Sequence, residues 1–235
     1  MKYSLLLLTH LAFTFLLAKG QVYIGLQGGA GFNYLQADMA DRSATTITSR
    51  AGYIIETPVE VRLYDWLYAK ALPALVKKNY RIERTGSLSG VYTNYNNTYL
   101  QLPVLAHFVW GKRLIMYADV GPYVAYWLSG RVKGNTPDLF AINRSTSASG
   151  QTTQAFQLAV YNERYQFNSQ RDNRVEWGGA AGMGVEWKIQ KKLQLVAGST
   201  VYLSFTDMQK HYMINQKAQR NQTGVIFAGC LYRLK

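Results

Sequence analysis

The sequence predicts an all-β fold, an eight-stranded antiparallel transmembrane β-barrel with a side-chain-filled interior, and three observations predict it. Seven segments alternate apolar with polar or small residues at period two, and an eighth closes the chain. The connections between them run long, short, long, short, long, short, long. Aromatic residues make up 14% of the 235 positions, 18 of them Tyr, as expected where rings line a membrane interface. An extended strand sends successive side chains to opposite sides, so each segment needs an apolar medium on one side and a polar one on the other. A membrane barrel supplies both.

Residues 1–20 read as a secretory signal peptide. Lys2 gives the positive start, Leu5 to Leu8 and Leu11 to Leu17 the apolar core, and Ala18-Lys19-Gly20 a small-x-small cleavage site before Gln21. That segment holds Lys2 and Lys19 and no acid, so its removal lowers the formal net charge from +13 to +11. Residues 21–235 then form one barrel domain. They contain no run of 18 apolar residues, so spanning falls to strands. Cys230, the single cysteine, has no internal disulfide partner.

The first strand, Gln21 to Tyr34, sets Val22, Ile24, Leu26, Ala30 and Phe32 against Gln27, Gly29, Gly31 and Asn33. The second, Gly52 to Tyr64, sets Ile55, Val59, Val61 and Leu63 against Glu56, Glu60 and Arg62. In the third, Leu67 to Arg84, Leu72, Ala74 and Val76 are read as lipid-facing, which brings Lys78 onto the same side; it is expected near the outer interface, because mid-bilayer exposure costs about 2–4 kcal/mol. The fourth, Thr98 to Trp110, carries Leu100, Leu102, Val104, Ala106 and Phe108 opposite Tyr99, Gln101 and His107. The fifth, Leu114 to Gly130, sets Leu114, Met116, Val120, Val124 and Leu128 against Asp119, Gly121 and Ser129. The sixth is the clearest, with Trp177, Gly179, Ala181, Met183, Val185, Trp187 and Ile189 on one face and Glu176, Glu186 and Lys188 on the other. The seventh, Leu193 to Phe205, points Leu195, Ala197, Val201 and Leu203 outward and Gln194, Thr200 and Ser204 inward. The eighth, Thr223 to Leu234, is apolar on both faces; Ile226, Ala228, Tyr232 and Leu234 are assigned outward.

Asp65-Trp66, Gly111-Lys112-Arg113 and Gln190-Lys191-Lys192 are tight connections, whereas 35–51, 85–97, 131–174 and 206–222 are long. With both termini in the periplasm, all tight turns fall there and all long loops outside, as in bacterial outer-membrane barrels. Trp177 and Trp187 are ten residues apart. On a tilted strand that spans roughly 25 Å along the membrane normal, the height of the apolar band. Tyr64, Trp66, Tyr68, Trp110 and Tyr232 are expected beside Trp187 at the inner rim, and Tyr34, Tyr99, Trp127 and Phe205 beside Trp177 at the outer. Pro58, Pro73, Pro103 and Pro122 fall inside the proposed strands, where a missing N–H predicts bulges or breaks in pairing.

The inward faces as assigned hold Glu56, Glu60, Glu83, Asp119, Glu176 and Glu186 with Arg62, Lys77, Arg81, Lys188 and Arg233. Six acids against five bases predict a packed network of ion pairs and no open channel, since eight strands enclose room only for side chains. Most of the excess positive charge lies in loops and turns. In 131–174 there are Arg131, Lys133, Arg144, Arg164, Arg171 and Arg174 against Asp138, Glu163 and Asp172, so outer-membrane lipid, lipopolysaccharide phosphates or an acidic protein partner are expected contacts. Ser145 to Gln154 looks flexible, and Ala155 to Phe167 alternates as if to extend strands five and six into a hairpin arm.

Five segments in order, Val22 to Leu35 (VYIGLQGGAGFNYL), Leu72 to Lys78 (LPALVKK), Tyr99 to His107 (YLQLPVLAH), Trp177 to Trp187 (WGGAAGMGVEW) and the closing VIFAGCLYRL, resemble the PorT-like outer-membrane β-barrel proteins of Bacteroidota, often labelled "porin family". Ala74 departs from the Glu that often follows Pro in their third strand. The resemblance implies an outer-membrane location. One branch of that family is linked to protein secretion, so an accessory role there, at the outer loops or the periplasmic rim, is an implied function.

The chain is expected to be no enzyme and to hold no cofactor or metal. No His or Cys pair stands at ligand spacing, and Gly28 to Gly31 has no following phosphate-loop Lys. Basic residues are not gathered on one element, so no nucleic acid partner is expected. Two alternatives remain: a lipid-modifying membrane enzyme using His107 or His211, and a soluble secreted barrel with an apolar ligand inside and its faces reversed.

Overall fold

The computed structural model describes residues 21–37, 44–146, 152–210 and 217–234. Its strands are β1 (Val22–Ala37), β2 (Thr45–Glu56), β3 (Val59–Tyr64), β4 (Leu67–Ala71), β5 (Ala74–Arg84), β6 (Tyr92–Gly111), β7 (Leu114–Thr146), β8 (Thr152–Arg164), β9 (Val175–Lys188), β10 (Leu193–Ser204) and β11 (Gln219–Arg233). All pairings are antiparallel. The sheet closes because β1 pairs β11 along one edge and β2 and β3 along the other.

Eight staves make the ring, since β2 and β3 are the two halves of the expected second strand, and β4 and β5 of the third. Proline sets these breaks: Thr57-Pro58 divides β2 from β3 and Leu72-Pro73 divides β4 from β5. Backbone bonding is carried across the gaps by the proline carbonyls. Gly25 N donates to Pro58 O at 2.9 Å, Thr57 N to Pro73 O at 2.9 Å and Leu72 N to Pro103 O at 3.0 Å. Pro103 and Pro122 stay within β6 and β7.

A band of large apolar side chains covers the outside, including Leu26, Ile55, Leu100, Val104, Met116, Val120, Val201 and Ile226, with Met183 67% exposed. So continuous a greasy surface requires hydrocarbon around it. At the tight-turn end Tyr64, Trp66, Trp110, Trp187 and Tyr232 are exposed, and Trp66 stacks on Tyr64 and Phe108 at 6.0 and 5.9 Å. At the long-loop end Tyr34, Trp177 and Phe205 are exposed, with Trp177 edge-on to Phe205 at 5.5 Å. Tyr68, Tyr99 and Trp127 depart from the girdle expectation. Tyr99 and Trp127 are buried, and Tyr68 lies against His107 inside the barrel.

The faces of the third strand are the reverse of those expected. Lys70, Leu72, Ala74, Val76, Lys78 and Tyr80 point inward, while Leu75 and Lys77 lie on the outer face. The inward residues are largely apolar because they pack with Ile54, Tyr99 and Leu105, so the contrast between faces inverts locally. Lys78 therefore avoids lipid altogether. Lys77 reaches over the Tyr53 ring, and Arg81 pairs with Glu83 at 3.2 Å on the partly exposed end of β5, not in the lumen.

β7 continues far past its barrel register and folds against β8 from Arg131↔Arg164 to Thr146↔Thr152, with a shift between Asp138 and Ile142. The hairpin arm thus extends the fifth stave as expected, but not the sixth, because β9 begins only at Val175. The centre of the Ser145 to Gln154 stretch lies outside the described residues.

Candidate functional site

Five of the six carboxylates that alternation assigns inward do lie in the lumen, and the register decides which meet. On β3 and β4 Glu60 stands opposite Lys70, on β6 and β7 His107 stands opposite Asp119, and on β1 and β2 Gln27 stands opposite Glu56. The curvature of the ring then brings these pairs together in the tight-turn half. Lys70 Nζ lies 3.1 Å from Glu60 Oε1 and 3.3 Å from Asp119 Oδ2. Asp119 Oδ1 meets His107 Nδ1 at 2.6 Å, and His107 Nε2 faces Glu186 Oε1 at 3.3 Å. Glu56 accepts from Gln27 and from Tyr202 Oη, the latter at 3.3 Å. All of these groups are buried.

Aromatic walls fix the cluster. The Tyr117 ring packs 4.9 Å from His107 and lies beneath Lys70 Nζ at 4.8 Å. Its hydroxyl fills the space that Gly184 and Gly198 leave, where a Cβ on either residue would collide with it. Glycine is thus required there by the close approach of the Tyr117 hydroxyl together with a strand carbonyl, Ala197 O at Gly184 and Met183 O at Gly198.

A second cluster occupies the long-loop half. Lys78 pairs with Glu176, which also accepts from Tyr123 Oη at 2.8 Å and from Asn221 Nδ2 at 2.7 Å. Asn33 Nδ2 donates to Asn221 Oδ1 at 3.0 Å, and Thr223 Oγ1 donates to Asn33 Oδ1 at 2.7 Å. Above it Trp127 stacks on Tyr99 and Tyr165 and meets Phe167 edge-on. Asp172 ties this plug down by accepting from Tyr165 Oη at 2.9 Å and Asn168 N at 2.7 Å.

Glu56, Glu60, Asp119, Glu176 and Glu186 lie in the lumen as alternation predicts, but the bases that meet them are Lys70 and Lys78. Arg62 instead pairs with Asp65 in the first tight turn. Lys188 and Arg233 line a cavity of about 510 Å³ at that end, together with Tyr23, Tyr68, Lys112 and Gln194. The parity of the third strand carried the missing signal. Two lysines eight residues apart, Lys70 and Lys78, share one face of a strand that must cross hydrocarbon, which marks that face as lumenal.

Chemically, Asp119 orients His107, but among the described residues no hydroxyl or thiol is hydrogen-bonded to the imidazole, so a nucleophile–base pair is not assembled there. His211 lies outside the described residues. Glu60, His107 and Glu186 each present a ligand atom within 4.8 Å of the others, a set contributed by three separate strands that spacing along the chain does not reveal.

The chain matches the family model described as "Outer membrane protein beta-barrel domain" over residues 19–210. No curated protein matches it. Among solved structures it is similar to OprG from Pseudomonas aeruginosa (12% identity, TM-score 0.45, 92% of this chain and 97% of that one). It is also similar to Neisserial surface protein A (11%, 0.42, 91% and 97%) and to Ail of Yersinia pestis in complex with the heparin analogue sucrose octasulfate (12%, 0.40, 91% and 99%).

Proposed function

Since the chain belongs to the outer membrane protein β-barrel domain family, we propose that it is a small interaction protein of that membrane, a closed scaffold whose long-loop end binds anionic groups. One observation carries this reading: Arg131 and Arg164 stand directly opposite each other at the base of the β7–β8 arm, with Lys133 two residues on. All three are exposed, and none forms an ion pair among the described residues. Like charges placed across a ladder are destabilising. Such a placement is relieved when an anion bridges it, and the phosphates of lipopolysaccharide are of the kind that arginine binds in bidentate pairs.

In this reading residues 1–20 are a cleaved signal peptide, the tight turns face the periplasm and the arm projects outward. The lumen conducts no ions, because paired charges and the aromatic plug fill it. Catalysis plays no part. The PorT-like resemblance adds a narrower proposal, an accessory role in protein secretion through contacts at the loops or the periplasmic rim.

The test reconstitutes the wild type and an Arg131→Gln, Arg164→Gln double variant and measures binding of lipopolysaccharide and of its dephosphorylated form. Salt-sensitive, phosphate-dependent binding that the double variant loses, with unchanged heat-modifiable gel mobility, supports the reading. Equal binding by both proteins, or by both lipids, overturns it. Unchanged lipid A after replacement of both His107 and His211 separates it from the enzymatic alternative.

A further inference from the structure

Within the tight-turn half of the lumen, the geometry points to a buried divalent transition-metal site with Glu60, His107 and Glu186 as ligands, a function separate from the outer loops. His107 Nε2 and Glu186 Oε1 are buried and make no hydrogen bond, and Glu60 Oε1, also buried, is met only by Lys70 Nζ at 3.1 Å. They converge on one another. Two facing atoms of a closed interior, His107 Nε2 and Glu186 Oε1, left without hydrogen bonds are costly and need a common partner.

The histidine is set up as a ligand. Asp119 takes the Nδ1 side at 2.6 Å, so a neutral ring carries its proton there and turns the Nε2 lone pair toward Glu186. This carboxylate–imidazole arrangement orients a metal-binding histidine and raises its basicity. Without a cation, that lone pair faces a carboxylate oxygen at 3.3 Å. With one, the separation suits the edge of a tetrahedron of about 3.3 Å generated by ligand bonds near 2.0 Å.

Charge balance favours the same conclusion. Glu56, Glu60, Asp119 and Glu186 are four buried carboxylates facing one ammonium, that of Lys70. A divalent ion offsets most of the remaining negative charge. One imidazole with two carboxylates suits Zn²⁺ or a similar first-row ion better than Ca²⁺ or Mg²⁺, which take oxygen ligands alone.

The competing arrangement is a second proton on His107, forming an imidazolium between Asp119 and Glu186, and metal uptake distinguishes the two. The purified protein in detergent is stripped with chelator and titrated with Zn²⁺, and Co²⁺ uptake is followed by visible absorption. Stoichiometric Zn²⁺ binding is expected, together with ligand-field bands of low-symmetry Co²⁺. Asp119→Asn lowers affinity about 10–100-fold, and Glu186→Gln or His107→Gln abolishes the bands. Heat-modifiable mobility reports folding of each variant. Should His107→Gln fail to fold, Glu186→Gln, which keeps the volume, decides the matter. No stoichiometric uptake by the wild type, or unchanged uptake by a folded Glu186→Gln protein, overturns the site and leaves the loop function untouched.

Discussion

Asp119 Oδ1 lies 2.6 Å from His107 Nδ1, and the two residues stand directly opposite each other on β6 and β7. A cross-strand contact this short, buried inside the ring, couples two staves through side chains as well as backbone. Asp119 also lies 3.3 Å from Lys70, which belongs to the other neighbour of β6. Asp119→Ala removes both contacts and leaves Lys70 with Glu60 alone. A loss of about 3–5 kcal/mol is expected, the usual cost of breaking a buried pair, read from denaturant unfolding in detergent.

Lys77 and Lys78 are adjacent in sequence and opposite in environment. Lys78 is fully buried against Glu176, whereas Lys77 lies over Tyr53 on the outer face. Lys78→Met is expected to destabilise by about 3–5 kcal/mol. Lys77→Met is expected to change stability by less than about 1 kcal/mol. A double variant, Lys78→Met with Glu176→Gln, recovers part of the first loss, because no unpaired charge then remains inside. The same unfolding measurement reads all three.

The third strand shows where period-two reading works and where it stops. In β9, Trp177, Met183 and Trp187 stand against Glu176 and Glu186, and both faces are as assigned. In the third strand the inward face is Leu72, Ala74 and Val76, because this part of the lumen is filled by an apolar core. The lipid face there carries the small residues Ala69 and Ala71 and the charged Lys77, so hydrophobic contrast names the wrong side. Inward acids such as Glu56 and Asp119 were legible from alternation. Their partners were not, because the meeting of Lys70 with Asp119, 49 residues apart in sequence, is a product of register and ring closure. Tyr99 and Trp127 were drawn to the girdle by chemical type, yet both cap the lumen, where an indole or phenol closes a cylinder as well as it anchors one.

Gly198 faces the Tyr117 hydroxyl so closely that a methyl group has no room. Gly198→Ala is expected to cost about 1–3 kcal/mol, the range for overpacking a filled interior. Combining it with Tyr117→Phe, which deletes the colliding oxygen, reduces that cost. A cycle of the two single variants and the double variant measures the coupling.

Met183 sits midway along β9 with its side chain outside the barrel. Met183→Arg is expected to destabilise the lipid-embedded protein by about 2–4 kcal/mol. An arginine on Gln170, which is exposed but loop-borne, changes little. Refolding into bilayers at graded denaturant separates the two.

The most direct test of a cylinder wetted by hydrocarbon outside and packed with polar groups inside is tryptophan quenching by lipids brominated along the acyl chain. Proteins that keep a single tryptophan are compared, one with Trp177, 57% exposed on the outer wall, and one with Trp127, 3% exposed in the lumenal plug. Strong quenching of Trp177 with Trp127 unaffected is the expected result. Quenching of Trp127 with Trp177 silent would show the faces reversed and contradict the account.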